Sequence, residues 1–244
     1  MKKIVFILIV NFVCLHFSFG QCGDCVDMYD IQTPMGSNIV TLLCSELCPE
    51  DRDQLYWDNY WFARYYPPNA IQIPTYDGYS STGKFNCHGY AWLRVEQGID
   101  RWINPGSNLG KYITDSSYVQ VPLETFPGKV SWTSTDHSAI TTEVPGWFIS
   151  KWEVGPLCRH YWSYCPYGSS TLKYYVRNCP TYGITIINLT NQTITTNTTH
   201  SACSINIMQN VTVTNNAKLI LNRENEVNII KDFEVQLGSE FEIK

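Results

Sequence analysis

Apolar positions change their spacing along this chain, and the changes divide it. After Met1-Lys2-Lys3 comes an almost unbroken apolar run, Ile4 to Val10 and then Phe12 to Phe19, closed by Ser18 and Gly20. A short basic start, an apolar centre and small residues at the end form a secretory signal peptide over 1–20. Trp57, Tyr60, Trp61 and Arg64 recur at helical spacing, which predicts a short helix with an aromatic face packed on the core; Pro67-Pro68 closes that stretch. Residues 71–86 read as loop, and Tyr90 to Val95 as a helix that Gly98 ends. From 102 to 122 the chain reads as loops with one edge strand. Phe126 to Trp132 reads as a turn followed by a strand, and Asp136 to Thr142 and Gly146 to Trp152 as the next two strands of an antiparallel meander. Residues 153–182 read as loop-rich.

From Gly183 aromatic residues become scarce and short period-two runs take over: Ile184 to Ile187, Ile205 to Ile207, Val211 to Thr214, Leu219 to Leu221, Val227 to Ile230, Phe233 to Val235 and Phe241 to Ile243. Phe233 follows Val211 by 22 positions, Ile243 follows Leu221 by the same 22, and Gly238 falls opposite Asn216. A fixed offset with period-two alternation predicts a stacked β module over 183–244. The fold class expected is α+β, with a helix-plus-antiparallel-sheet domain over 21–182 followed by this all-β stack.

Composition narrows the function. Formal net charge is −5, and no basic patch exists to neutralise phosphates, which argues against nucleic acid as a partner. No stretch after the leader is long and apolar enough to span a bilayer as a helix. Of ten cysteines, Cys14 lies within the leader. The remaining number is odd, so in an oxidising compartment most pair and one is left over. Cys87 stands apart, about forty positions after Cys48 and about seventy before Cys158. Cys22, Cys25, Cys44 and Cys48 form a local cluster whose spacing also resembles a zinc knuckle, but export favours disulfides there. The sites at Asn188, Asn191, Asn197 and Asn210 have glycan-acceptor spacing, and here they read as strand and turn composition.

The candidate chemistry gathers at Phe85-Asn86-Cys87-His88-Gly89-Tyr90-Ala91-Trp92. Asn86 is a fair N-cap, which puts Cys87 in the first helical turn, where the helix dipole favours a thiolate. A thiol nucleophile needs a base within hydrogen-bond reach. His88 adjoins Cys87, but neighbours on a helix point about 100° apart, which places its ring poorly. His200 lies in the polar run that opens the β module. His137, at the start of a strand and followed by the small Ser138 and Ala139, is the preferred base. No metal or organic cofactor is called for.

Asn86-Cys87-His88-Gly89-Tyr90-Ala91 resembles the nucleophile motif of NlpC-type papain-like cysteine peptidases and, more loosely, of the CHAP amidases. Pro127-Gly128-Lys129-Val130-Ser131-Trp132 is similar to the strand that precedes that family's histidine, and His137-Ser138-Ala139-Ile140 to its histidine strand. The resemblance implies Cys87 as nucleophile and His137 as general base. It departs from the family at Asn86, His88 and Lys129. The family's third residue falls near Ser150 and Lys151, neither a usual imidazole orienter, and His160 is the remaining candidate. The terminal module resembles the coathanger-like β stacks of exported Bacteroidetes proteins. Together the likenesses imply a secreted amide or peptide hydrolase acting on peptides or peptidoglycan, with cell-surface association through the β module. The alternatives are a secreted glycan- or peptide-binding protein with structural disulfides, and an acyl transferase on the same thiol.

Overall fold

The computed structural model describes residues 23–49, 69–75, 78–104, 106–133, 136–167 and 171–244, which form an α+β architecture in which strand outweighs helix. The leader, Cys22 and the aromatic stretch from Trp57 to Arg64 lie outside the described residues.

The chain enters through an antiparallel hairpin of β1 (Cys25–Gln32) and β2 (Asn38–Cys44). A disulfide joins Cys25 to Cys44, a paired position in the hairpin, and Cys48 is disulfide-bonded as well. Thiolates committed to such bonds cannot ligate zinc, so the knuckle spacing belongs to a disulfide staple. After the short strand β3 (Ala70–Gln72) comes the helical segment α1. It is one α-turn at Cys87–Gly89, a π-helical stretch at Tyr90–Arg94 and a closing turn at Val95–Gln97. Gly98 ends it in the left-handed conformation with φ 70°, as the sequence predicts.

Two spans depart from the sequence expectation. The span 102–122 contains a helix, α2 (Ser107–Thr114), before its edge strand β4 (Tyr118–Val121). Ser107, Asn108 and Gly110 are weak helix formers, and what holds the helix is tertiary: Leu109, Tyr112 and Ile113 pack into the core, and the Asn108 carboxamide accepts the Val40 N–H at 3.1 Å. The loop-rich span 153–182 contains two strands, β8 (Leu157–Tyr161) and β9 (Leu172–Arg177). Between these corrections runs the predicted meander: β5 (Lys129–Trp132), β6 (His137–Thr141) and β7 (Trp147–Lys151).

These strands form one seven-stranded antiparallel sheet in the order β3-β8-β7-β6-β5-β9-β4. Alternation sends successive side chains to opposite faces. One face packs on α1, α2 and the hairpin around Trp92, Tyr112 and Tyr118. The other carries Trp132, Phe148, Trp152 and Cys158 and is covered by the segment holding Trp162, Cys165 and Tyr167.

The terminal module is a parallel stack of β10 (Ile186–Ile194), β11 (Thr198–Val213), β12 (Lys218–Ile229), β13 (Phe233–Val235) and β14 (Glu240–Ile243). Its register is the 22-residue offset itself: Val211 pairs with Phe233, Val213 with Val235, Leu219 with Phe241 and Leu221 with Ile243. Every such step places like on like, so apolar columns fill a separate core around Ile205, Val211, Leu219 and Leu221. Asn188, Asn206 and Asn228 form a carboxamide ladder, with bonds of 2.7 and 3.0 Å between successive members. Gly238 has φ +88°, and a Cβ there would collide with the Asn216 carboxamide of the turn below, so only glycine fits. The stack is fastened to the sheet domain by the Cys179–Cys203 disulfide and by the Glu224 carboxylate, which accepts the Thr181 and Tyr182 N–H groups. No helix among the described residues is long and apolar enough to cross a membrane.

Leu221 is fully buried in the stack core. Leu221→Ala should destabilise the protein by about 3 kcal/mol, read as a lowered urea midpoint with an unchanged slope.

Candidate active site

Local sequence fixes the start of α1. The Asn86 carboxamide oxygen accepts the Gly89 N–H at 2.8 Å, a capping bond that stands in for a missing intrahelical acceptor. Its amide nitrogen donates to the Ile103 carbonyl at 2.9 Å, which also pins the following loop. Gly89 is required by that packing, because a Cβ there would run into the Arg101 carbonyl. Cys87 therefore occupies the first helical turn, as predicted.

The cysteine arithmetic needs revision. Cys87, Cys158 and Cys165 keep their thiols, all buried, so three thiols stand where one was expected. Cys158 and Cys165 lie in the core on the far face of the sheet from α1, where they pack as small apolar groups. Cys87 alone of the three sits at a helix start.

In this conformation the Cys87 thiol is held protonated. It is 7 % exposed, and burial pushes its pKa up to about 12, although the Ser138 and His88 N–H groups that face the sulfur, with the more distant Lys151, pull the other way. Those two N–H groups are what an oxyanion beside this sulfur would use.

The helix is locked to β6 by a chain of hydrogen bonds. The Trp92 indole N–H donates to the Ser138 hydroxyl at 2.9 Å, and that hydroxyl donates to His88 Nδ1 at 2.8 Å. The opposite nitrogen, Nε2, then carries the proton; it bonds the Asp136 carbonyl and lies 3.7 Å from that residue's carboxylate. Burial holds His88 below its ordinary pKa despite Asp136, so the ring is neutral. Sequence spacing set His88 aside as a base for Cys87, and the structure gives it a different task, fixing the start of β6 against the helix. In the sequence Ser138 stands out only by its small size, and nothing local pairs it with Trp92.

His137 is placed differently. Ser138 faces α1, so by alternation His137 faces the other way, into the cluster around Trp132. Its ring stacks on Tyr167 with centroids 3.7 Å apart and planes 14° from parallel. No hydrogen bond joins it to Cys87, and both of its ring nitrogens are buried without a partner. The Tyr167 hydroxyl and the Trp132 indole nitrogen are orphaned in the same way. Burial, then the neighbouring His160 and His88, keeps His137 well below its ordinary pKa and therefore neutral. Burial, and after it the Cys87 thiol, pushes the Tyr167 hydroxyl upward.

His160 is satisfied as a structural histidine. Its Nδ1–H donates to the Tyr161 carbonyl at 3.0 Å, and its Nε2 accepts from the Ser150 hydroxyl at 2.8 Å. Ser150 in turn accepts the Trp152 indole N–H at 3.1 Å. Burial lowers the His160 pKa to about 4. It does not touch His137 by a hydrogen bond, so the structure does not join Cys87, His137 and His160 into a relay. Lys151, the other residue considered near this position, buries its ammonium against the Glu153 and Gly155 carbonyls.

Comparison with known proteins gives no match: no family model fits the chain, and no curated protein or solved structure is similar to it. The described residues hold no group of three or more histidine, cysteine or acidic side chains arranged to bind a metal ion.

The depressed histidines link stability to pH. His160 has a folded pKa of about 4, below its unfolded value, so the unfolded chain binds the proton first as pH falls. Stability should be full above about pH 6.5 and decline toward pH 4, with His160 accounting for about 3 kcal/mol. Urea titrations across this range should show a shallower decline for His160→Gln; an identical slope would remove this assignment.

Proposed function

We propose that this protein is a secreted cysteine hydrolase of papain-like design, cleaving an amide or peptide bond with Cys87 as nucleophile and His137 as general base. One observation carries the reading. A buried imidazole with two orphaned ring nitrogens is the neighbour in sequence of Ser138, whose N–H faces a thiol that has stayed out of disulfides at the head of a helix. An unpaired buried polar atom costs about 1–3 kcal/mol, and such losses are concentrated where function requires them. The helix running onto an antiparallel sheet, with the histidine at the start of its central strand, supports the papain-like comparison. Disulfides alongside a leader-like N-terminus support export.

On this reading the geometry described above is a resting state. The thiol is protonated and the imidazole neutral, so reaction begins when substrate brings them within hydrogen-bond reach and the proton passes from Cys87 to His137. The thiolate then attacks the carbonyl carbon, and the Ser138 and His88 N–H groups lie where the developing oxyanion needs donors. His137 returns the proton to the leaving amine, and water releases the acyl group. A peptide or peptidoglycan-like stem is the substrate class, and the terminal stack is an attachment module.

A second reading has its own observation. A groove of about 500 Å³, with Tyr161, Trp162 and Tyr174 in its wall and the Glu124 carboxylate at one side, lies open on the sheet domain. Aromatic walls of this kind suit glycan or peptide binding without catalysis. Here Cys87 would be a buried structural thiol.

Purified protein assayed against peptides and peptidoglycan fragments separates the two. Cys87→Ala and His137→Ala should each lower turnover by about a thousandfold or more; Cys87→Ala should leave the thermal melt nearly unchanged, whereas His137→Ala, which empties a buried stacking site, should lower it. Turnover that survives Cys87→Ala would sink the hydrolase reading, and binding without turnover in the unsubstituted protein would favour the second.

A further inference from the structure

At the other end of α1, roughly 12 Å along the helix from Cys87 at 1.5 Å per residue, a separate cavity lies where the sheet domain meets the β stack. Its volume is about 210 Å³, enough for roughly seven waters at their liquid volume. Three elements of different origin build it: the end of α1, the strands β4, β5, β6 and β9, and the turn-side of β12.

The charges around it do not balance in pairs. The Glu96 carboxylate is fully engaged, with Lys129 Nζ at 2.7 Å and the Tyr118 hydroxyl also donating to it. Burial pushes Glu96 up, but Lys129 beside it prevails and keeps it ionised. Among the described residues Arg177 has no carboxylate within ion-pair distance, although its charge also helps to keep Glu96 ionised. Its guanidinium lies over the Tyr118 ring at 5.8 Å, its one hydrogen bond is a long 3.5 Å contact to the Ser117 carbonyl, and its Nε is buried with no acceptor. Glu226, also in the lining, takes part in no ion pair among the described residues; the carboxamides of Asn225, at 3.3 Å, and Asn228 bond its carboxyl. Burial moves Glu226 toward its neutral form. The remaining wall is apolar, formed by Phe126, Pro127 and Ile140, with Val95 at the rim and 43 % exposed.

We infer that this cavity binds a small organic carboxylate bearing a second polar group, of hydroxy-acid or amino-acid size, with Arg177 as its recognition residue. A guanidinium with an unsatisfied buried N–H recognises a planar carboxylate better than any other small group. The apolar wall asks for a carbon body rather than an inorganic anion. Glu226, Asn225 and Asn228 offer a donor and acceptors to the second polar group, hydroxyl or amine. The volume limits the ligand to a few heavy atoms, below the usual range for larger pockets. The site does not depend on Cys87 and stands whether or not the protein is a hydrolase.

Isothermal titration of the purified protein with L-lactate, L-alanine, propionate and inorganic phosphate tests this. Lactate or alanine should bind with a Kd in the millimolar range or tighter, more tightly than propionate or phosphate. Arg177→Met should weaken that binding about tenfold or more, the loss expected for a charge-assisted hydrogen bond. Val95→Trp, which fills the rim and keeps every charge, should abolish it, and serves if Arg177→Met fails to fold. Absence of binding by both lactate and alanine would overturn the proposal. So would phosphate binding as tightly as either, or undiminished binding in Val95→Trp.

Discussion

The Ser138 hydroxyl is the point on which the sheet domain turns. It accepts from Trp92 and donates to His88, so one buried side chain ties two residues of the helix to the second strand of the meander. With Ser138 fully buried, a missing partner would leave an indole or an imidazole unsatisfied in a dry interior, which makes the arrangement all-or-none. The consequences spread outward. Cys87 is set under the Ser138 N–H, and Asp136 is held at the strand start. His137 is sent to the far face by simple alternation. The placement of the thiol thus rests on a hydrogen-bonded contact rather than on an ion pair.

The β stack obeys a different constraint. Parallel rungs set side chains directly above one another, and the columns Val211–Phe233 and Leu221–Ile243 stay apolar even though His200 stacks on Leu221. The apolar columns supply the core, and in the Asn188–Asn206–Asn228 column the fully buried Asn206 is satisfied by its less buried neighbours above and below. Asn206 also donates to the Phe126 carbonyl of the sheet domain at 3.4 Å, so the ladder doubles as part of the joint between the two halves. The cavity lined by Arg177 and Glu226 is a by-product of that joint, since neither half has it alone.

The parts that were legible are those governed by local rules. The Asn86 cap, the stop at Gly98, the meander and the 22-residue register all follow from capping geometry, glycine's access to positive φ and period-two alternation. The parts that were not legible needed a partner distant in sequence. Helix α2 has poor intrinsic propensity and exists because Leu109 and Tyr112 find a core. Strands β8 and β9 were hidden in a cysteine- and turn-rich span, and pairing with β7 and β5 defines them. Three thiols rather than one survive because burial in the sheet's far face keeps Cys158 and Cys165 as packing residues.

The sequence by itself determined which residues could carry chemistry: a lone cysteine heading a helix, a histidine opening a strand, and a repeat that can only stack. Tertiary structure decided how they meet. Whether a strand-start histidine faces the thiol or turns from it depends on register, and a shift of one residue exchanges the two faces. Here the register gives Ser138 to the helix and His137 to the aromatic cluster, and no periodicity in the sequence distinguishes that choice from its opposite.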